Sequence, residues 1–243
     1  PEAEDVEIDQ TVEGAVVVFL HAEAKDAAER ASVFRHTLKH VKWLANKEPE
    51  NDLANIRRLM ESLMKTSARK FILISTVDVY QKTTDINENF TIIKDELLPY
   101  GKHRRILEEF VENNFDSLIV RLPGLFGDGL KKNPLYDLIQ KDFKYINPDS
   151  VLQFYNLDYL WTDIKKSLEN NLKIVNFVSE PTSLKEVDEE VFNINITNEN
   201  TGHTQHYDIH TKYGNIWGNA LPYLYLKDNV LTDIKSFTAR FSA

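Results

Sequence analysis

Three residues have the types and the spacing for acid-base chemistry: Thr76, Tyr100 and Arg104. Thr76 ends the stretch FILIST (71–76), and an apolar run that ends in hydroxyl residues is typical of a buried strand whose carboxyl end faces a ligand crevice. Tyr100 follows Pro99, which suits the first turn of a helix, and Arg104 lies one turn later on the same helical face. A tyrosine with the ordinary pKa of about 10 is a poor acid-base catalyst at neutral pH, and a nearby cation favours its phenolate. The spacing therefore predicts a tyrosine acid-base site with Thr76 as a second hydroxyl.

Alternating strand and helix patterns position these residues. The pattern predicts strands at 14–22, 71–74 and 117–122 and helices at 25–45, 51–66 and 99–113. Such alternation is typical of a parallel sheet covered by helices, the α/β class. Beyond Pro123 the pattern is mixed: a strand is predicted at 151–160, and a last amphipathic helix at 228–241.

Composition and charge exclude several classes of protein. The 243 residues are 42% hydrophobic, which supports a real core, and the net charge is -9. An acidic chain does not offer the broad positive surface that nucleic acids or anionic membranes require. No stretch approaches the roughly 18 consecutive apolar residues of a membrane span. The chain has no cysteine and no signal-peptide pattern, which predicts a cytoplasmic protein without disulfides or thiol chemistry.

Several stretches, in a fixed order, resemble the extended short-chain dehydrogenase/reductase family, the NAD-dependent sugar epimerases and dehydratases. ISTVDVY resembles that family's strand ending in S-S/T-x-x-V-Y, YGKHR its Y-x-x-x-K, and VRLPGLFG its following strand and loop. QFYNLDYLWTDI, SLKEVDEEV and KWLANKEPENDLANIRRLMESL resemble further segments. The resemblance implies a Rossmann-like parallel sheet with flanking helices, incomplete at its N-terminus, plus a small C-terminal α+β substrate lobe.

The resemblance also implies an oxidoreductase chemistry. NAD or NADP exchanges a hydride with a carbon of a sugar nucleotide, as in an epimerase, dehydratase or reductase, while Tyr100 moves the hydroxyl proton and Thr76 holds the substrate oxygen. Arg104 is the expected cation of the catalytic set. Expected cofactor contacts are Ser75, Arg104, Pro123 and Gly124. Expected substrate contacts are Asp78, Lys131 and Lys132, with the lysines meeting the substrate diphosphate.

Two features depart from the family pattern. Arg104 stands where the family has Lys, and its planar fork is not interchangeable with an ammonium group. The 8 glycines, at 14, 101, 124, 127, 129, 202, 214 and 218, form no G-x-x-G-x-x-G turn ahead of the first strand. Either the missing strands belong to a longer parent protein, or the fold binds no dinucleotide in the ordinary way. These departures favour a second function, a non-catalytic binding or assembly module that has lost cofactor chemistry.

The domain organisation follows from the same pattern. We expect an acidic N-terminal segment over 1–13, a Rossmann-like core over 14–150, and mixed core and substrate lobe over 151–243. The sequence leaves the oligomeric state open, with a homodimer as one option.

A histidine-rich stretch raises the question of a metal. His206, Asp208 and His210 would share one face of a strand, and His203 lies nearby. Three ligands along one strand are spread over about 14 Å, at about 3.4 Å per residue, which is poor geometry for one ion. The sequence therefore predicts no metal site here.

Overall fold

The computed structural model describes residues 16–20, 41–65, 68–129, 133–196 and 204–241. In these residues the α-helices are α1 Val41–Lys47, α2 Pro49–Leu63, α3 Pro99–Asn114, α4 Pro134–Ile139, α5 Leu160–Glu169, α6 Leu184–Val187 and α7 Lys227–Thr238. The strands are β1 Val16–Leu20, β2 Lys70–Thr76, β3 Thr84–Ile86, β4 Ser117–Leu122, β5 Gly124–Phe126, β6 Val151–Leu152, β7 Phe154–Asn156, β8 Ile174–Asn176, β9 Thr182–Ser183 and β10 Asp208–Ile209. None of the described helices has both the length and the hydropathy needed to cross a bilayer.

The described residues form two compact units, each assembled from separate stretches of the chain. The first unit holds 16–20, 41–65, 68–81, 91–121 and 161–175, and the second holds 82–90, 122–129, 133–160, 176–196 and 204–241. The stretches interleave in sequence, so neither unit is one continuous segment.

The central sheet has four strands in the order β1-β2-β4-β8. The Phe71 N–H, at the start of β2, donates to the Asp116 carbonyl just before β4, at 2.9 Å. The Ile119 N–H, near the start of β4, donates to the Lys173 carbonyl just before β8, at 2.8 Å. The three strands therefore begin at one edge and run parallel, as the strand-helix alternation predicts.

Strand β1 is the exception to this parallel order. It pairs antiparallel with β2, from Val16 opposite Ile74 to Leu20 opposite Lys70. The strand predicted at 14–22 is confirmed over its central residues, but its predicted direction was wrong. An edge strand has one neighbour and can pair in either direction, and local periodicity carries no information about that choice. Of the helix predicted at 25–45, only the part in α1 lies within the described residues.

The core of the first unit lies between the sheet and the pair α2 and α3. Both helices were predicted, and each carries apolar residues at the 3–4 spacing of a helical stripe. The buried residues of this core are Ile56, Leu59, Leu63, Phe71, Leu73, Leu107, Val111 and Ile119. The neighbouring residues Ile72, Leu118 and Val120 are buried as well, so β2 and β4 are covered on both faces, as strands of a parallel sheet are.

The second unit has its own core and three two-stranded sheets. The strand predicted at 151–160 is confirmed only in part. The chain changes partners at Gln153, so that β6 pairs with β9 and β7 pairs with β5, and residues 157–160 form a 3-10 helix and the start of α5. The buried Gln153 amide donates to the carbonyls of Ser179 and Ile209, and its oxygen accepts from the Ile209 N–H. The side chain thus satisfies backbone groups where the ladder is interrupted.

A buried ion pair ties α3 to the sheet in the first unit. Glu108 has no exposed surface, and Arg121 of β4 donates to it through Nη2 at 2.7 Å and Nε at 3.0 Å. Ser75 of β2 donates its hydroxyl to the same carboxylate at 2.6 Å, and Arg121 also donates to the Tyr80 hydroxyl at 2.7 Å. Burial alone lowers the pKa of Arg121, but the charge of Glu108 and its hydrogen bonds outweigh burial and raise it. Arg121 is therefore positively charged at any ordinary pH.

Removing one partner of this pair should destabilise the first unit strongly. We expect Arg121→Met to lower the free energy of unfolding by about 3–5 kcal/mol, because it leaves the Glu108 charge buried without its bidentate partner. The double variant Arg121→Met with Glu108→Leu should recover much of that loss. Lys173→Ala, in an exposed pair with Asp116, is the control and should cost no more than about 1 kcal/mol. Urea titration measures all three, and equal costs for Arg121→Met and Lys173→Ala would contradict the role of the pair.

Candidate functional site

Thr76 lies where the sequence predicts it, at the carboxyl end of β2. The chain turns there into the short 3-10 helix Val77–Val79, and the Thr76 oxygen accepts the N–H of Asp78 at 3.1 Å. Its hydroxyl faces Asp78 Oδ2 at 3.4 Å, and Thr76 also lies close enough to Tyr100, in the first turn of α3, to lower the pKa of that phenol. The fold therefore brings together the two hydroxyl residues that are 24 positions apart in sequence.

Tyr100 is placed by contacts of the helix start. The N-cap residue of α3, Leu98, has no capping side chain, and the Asn46 side chain of α1 instead accepts the Tyr100 N–H at 2.9 Å. This bond satisfies one of the free N–H groups of a helix N-terminus. Beside it, Gly101 packs so closely on the turn after β2 that an added Cβ would lie 2.0 Å from the Asp78 carbonyl oxygen. The Tyr100 backbone is thereby held against the end of β2.

Arg104 is a buried residue rather than part of a solvated helix face. It is 2% exposed, and its Nη1 donates to Asp52 of α2 at 2.5 Å. Its guanidinium carbon lies 4.3 Å from the centre of the Tyr100 ring, within cation–π range. His103 Nδ1 lies 2.6 Å from the same Asp52 oxygen. The Arg104 charge is thus held between an aromatic face and a carboxylate.

The pKa of Tyr100 is raised above its ordinary value. Burial is the largest cause, and the positive charge of Arg104 opposes it without overcoming it. Asp78 raises the pKa further, while Lys42 and the Thr76 hydrogen bond lower it. The sequence predicts that the cation one turn along favours the phenolate; Arg104 does act in that direction, but the net shift is the other way. Tyr100 is therefore a neutral phenol at neutral pH.

Asp78 and Lys42 add an ion pair beside Tyr100. Lys42 Nζ of α1 lies 2.7 Å from Asp78 Oδ1, and both side chains keep contact with solvent. Lys42 falls inside a long predicted helix and was not a candidate residue from sequence, because nothing in its own neighbourhood marks it. The structure thus supplies an ammonium group close to Tyr100 from another part of the chain, whereas Arg104 occupies the family's lysine position.

The other residues predicted to contact a cofactor or substrate have different surroundings in the structure. Ser75 donates to the buried Glu108, so its hydroxyl serves the ion pair that ties α3 to the sheet. Pro123 and Gly124 belong to the second unit, where Gly124 is exposed in β5 and its N–H donates to the Gln153 carbonyl at 3.1 Å. Lys131 and Lys132 lie outside the described residues. The ligand roles of these residues stay predictions.

Two buried carboxylates were missed by the sequence analysis, although their positions carry a signal. Asp52 stands four residues before Ile56, on the apolar stripe of α2 that continues through Leu59. Glu108 stands three residues before Val111, on the buried stripe of α3. A charged residue at a stripe position is almost never fully buried unless it is paired. Such a residue predicts a buried partner on a neighbouring element.

A nicotinamide dinucleotide needs a backbone turn that can approach its pyrophosphate. The sequence has no glycine between Gly14 and Gly101, so it contains no G-x-x-G-x-x-G pattern after β1. Gly127 and Gly129 have positive φ angles, but they do not form a turn joining a strand directly to a long helix, since α4 has only 6 residues. The described residues therefore do not fit a dinucleotide pyrophosphate.

No protein-family model and no curated protein matches this chain. UDP-glucuronic acid 4-epimerase from Bacillus cereus, in complex with NAD, matches with a TM-score of 0.58 and 16% identity over 77% of this chain and 66% of that one. UDP-glucose 4-epimerase from Thermotoga maritima, with UDP-glucose, matches with a TM-score of 0.62 and 13% identity, over 89% of this chain and 83% of that one. dTDP-4-dehydrorhamnose reductase from Yersinia enterocolitica matches with a TM-score of 0.59 and 16% identity, over 82% of this chain and 77% of that one. At such identities the likeness shows the fold alone, and it confirms the predicted Rossmann-like parallel sheet with flanking helices.

Gly101→Ala tests the close approach of α3 to the turn after β2. In an ordinary helix this change stabilises by up to about 1 kcal/mol. Here we expect a loss of about 1–3 kcal/mol, because the new methyl group would overlap the Asp78 carbonyl and one element must shift. Urea titration measures the sign, with Lys102→Ala as the neighbouring control. A more stable Gly101→Ala variant would show that the helix does not approach the turn so closely.

The raised pKa of Tyr100 has a spectroscopic consequence. Ultraviolet phenolate absorbance of wild type minus Tyr100→Phe should show that Tyr100 is still protonated at pH 10.0, the ordinary tyrosine pKa, because burial disfavours the charged form. Because the folded pKa lies above the unfolded one, the contribution of Tyr100 to stability is complete below pH 10.0 and is lost as the pH rises through the folded value. Lys42→Met should raise the Tyr100 pKa further. Ionisation of Tyr100 below pH 10 would contradict this environment.

Proposed function

We propose that this protein binds a sugar nucleotide and that Tyr100 exchanges a proton with an oxygen of the bound sugar, as part of an epimerase-type or reductase-type reaction. The observation that carries the proposal is that Thr76, at the carboxyl end of β2, lies close enough to Tyr100 to lower the pKa of its phenol. In α/β sheets ligands bind at that end of the strands. Tyr100 keeps part of its surface exposed, although burial is the largest cause of its raised pKa.

The state of the Tyr100 phenol sets the direction of its chemistry. As a neutral phenol it donates a proton to a substrate oxygen that gains negative charge, and the nearby Thr76 offers a second hydroxyl to the same oxygen. Arg104 orients the Tyr100 ring by stacking on its face, and Asp52 orients Arg104. Lys42 supplies positive charge near the phenol, which favours transfer of the proton.

The substrate class comes from the neighbours in fold. The Thermotoga maritima epimerase is seen with UDP-glucose, and the Bacillus cereus enzyme acts on UDP-glucuronic acid. Both substrates carry sugar hydroxyl groups, and the oxygen of such a group can exchange a proton with a phenol. The predicted NAD or NADP dependence stays a prediction, and we assign the described residues the proton step alone, because they offer no pyrophosphate cradle.

A second candidate function is a sugar-nucleotide-binding module without turnover. Two observations favour it: the Arg104 guanidinium is bonded to the buried Asp52, and the glycine turn is missing from the sequence. In such a module Tyr100 and Thr76 would serve as hydrogen-bonding groups for the sugar.

Calorimetric titration with UDP-glucose and a turnover assay with added NAD⁺ or NADP⁺ separate the two functions. For the enzyme, Tyr100→Phe should lower turnover by about 10²–10⁴-fold, the usual contribution of a general acid or base, with little change in UDP-glucose affinity. The phenylalanine ring keeps the contact with Arg104, so folding should be preserved. Tyr145→Phe, at a tyrosine that is 72% exposed, is the matched control and should leave both readouts unchanged.

Three other results would each change the proposal or overturn part of it. UDP-glucose binding without turnover in the wild type would select the module. Equal turnover in the wild type and in Tyr100→Phe would remove Tyr100 from the chemistry. A well-folded wild type that binds neither UDP-glucose nor UDP-glucuronic acid would overturn the proposed ligand class.

A further inference from the structure

The second unit brings three potential metal ligands to one place. Strands β3 and β10 pair in parallel, with Thr84 opposite Asp208 and Ile86 opposite Ile209. Asp85 of β3 thereby lies beside Asp208 and His210, and one ligand atom from each of the three lies within 4.8 Å of the others. This set differs from the single-strand set considered in the sequence, because its third donor comes from a neighbouring strand.

Pairing of two strands removes the geometric objection to a metal. Ile209 is buried in the core, so Asp208 and His210, one residue to either side, project away from it by strand alternation. Their ligand atoms, Asp208 Oδ1 and His210 Nε2, are 3.3 Å apart. Bonds of about 2.0–2.1 Å at a tetrahedral angle place neighbouring ligand atoms about 3.3 Å apart. The pair therefore already has the separation that one tetrahedral ion requires.

The ligand residues are held by further contacts. The Asp208 N–H donates to the Thr83 carbonyl and the His210 N–H to the Ile86 carbonyl, each at 2.7 Å. The Tyr223 hydroxyl donates to Asp208 Oδ1 at 2.6 Å, and its ring lies edge-on to the His210 ring at 5.5 Å. A hydrogen bond from outside to a ligating carboxylate is the usual means of orienting it toward a metal.

The nature of the donors indicates the kind of ion. Two carboxylate oxygens and one imidazole nitrogen carry two negative charges when the histidine is neutral, and they leave positions for water or a ligand. Imidazole with carboxylates suits Zn²⁺ and the neighbouring divalent transition metals better than Mg²⁺ or Ca²⁺, which prefer oxygen alone.

We propose that Asp85, Asp208 and His210 bind a divalent transition-metal ion, with Zn²⁺ as the favoured ion and Tyr223 as the residue that orients Asp208. The site uses no residue of the Tyr100 and Thr76 pair, so it stands or falls independently of the proposed function. In the competing explanation, Asp208 forms an ion pair with a protonated His210, and Asp85 lies nearby without binding either residue or an ion.

Calorimetric titration of the metal-free full chain with ZnCl₂ distinguishes the two. We expect saturable binding of one Zn²⁺ per chain and a rise in Tm with added Zn²⁺, since an ion that binds only the folded state stabilises it. His210→Ala and Asp85→Asn should each abolish this binding event. Tyr223→Phe should weaken it by about 10–100-fold, the usual effect of removing a residue that orients a ligand.

His206→Ala is the matched control, because His206 is an exposed histidine close to β10 that is not among the three ligands. It should bind Zn²⁺ as the wild type does. The proposal is overturned if the wild type shows no saturable Zn²⁺ binding, if binding survives in both His210→Ala and Asp85→Asn, or if His206→Ala removes it. Circular dichroism of each variant shows whether the fold is kept, and Asp85→Asn, at an exposed position, is the variant least able to disturb it.

Discussion

The buried charge of Glu108 is the constraint on which the geometry of the first unit depends. A carboxylate without solvent contact costs several kcal/mol unless it is paired and hydrogen-bonded, and here Arg121 and Ser75 bind it from two neighbouring strands while Arg105 binds it from its own helix. A shift of helix α3 by one turn would move the carboxylate away from Arg121 and Ser75 and leave it with Arg105 alone. That position sets Tyr100, about two turns earlier in the helix, at the end of β2.

The second buried carboxylate, Asp52, affects the electrostatics around Tyr100 rather than the position of Tyr100 in the fold. The Arg104 guanidinium donates to the Asp52 carboxylate, so the positive charge of Arg104 is largely balanced by a negative charge inside the protein. Burial then dominates the Tyr100 environment, and the phenol stays protonated. A shared fold with epimerases and reductases is compatible with several activities, and only the residues of the site decide among them.

The two units also differ in how they bring polar groups together. In the first unit, helix packing on a parallel sheet joins residues of β2 to residues of α3, as in the bond from Ser75 to Glu108. In the second unit, short paired strands place carboxylates and a histidine side by side near the surface, beside a tyrosine hydroxyl that points at one of them. Donor sets of the second kind suit an ion, whereas the first suits a proton transfer to an organic ligand.

The sequence by itself determined the elements and the hydroxyl pair of the first unit. Strands β2 and β4, helices α2 and α3, and the positions of Thr76 and Tyr100 follow from periodicity, from Pro99 and from the motif order, all of which are local properties of the chain. The tertiary structure decided the rest. The direction of β1, the partners of Arg104 and Glu108, the sign of the Tyr100 pKa shift, the approach of Lys42, and the meeting of Asp85 with His210 all depend on which distant segments lie together. These choices come from burial and pairing energies summed over the whole fold, and no window of sequence contains them.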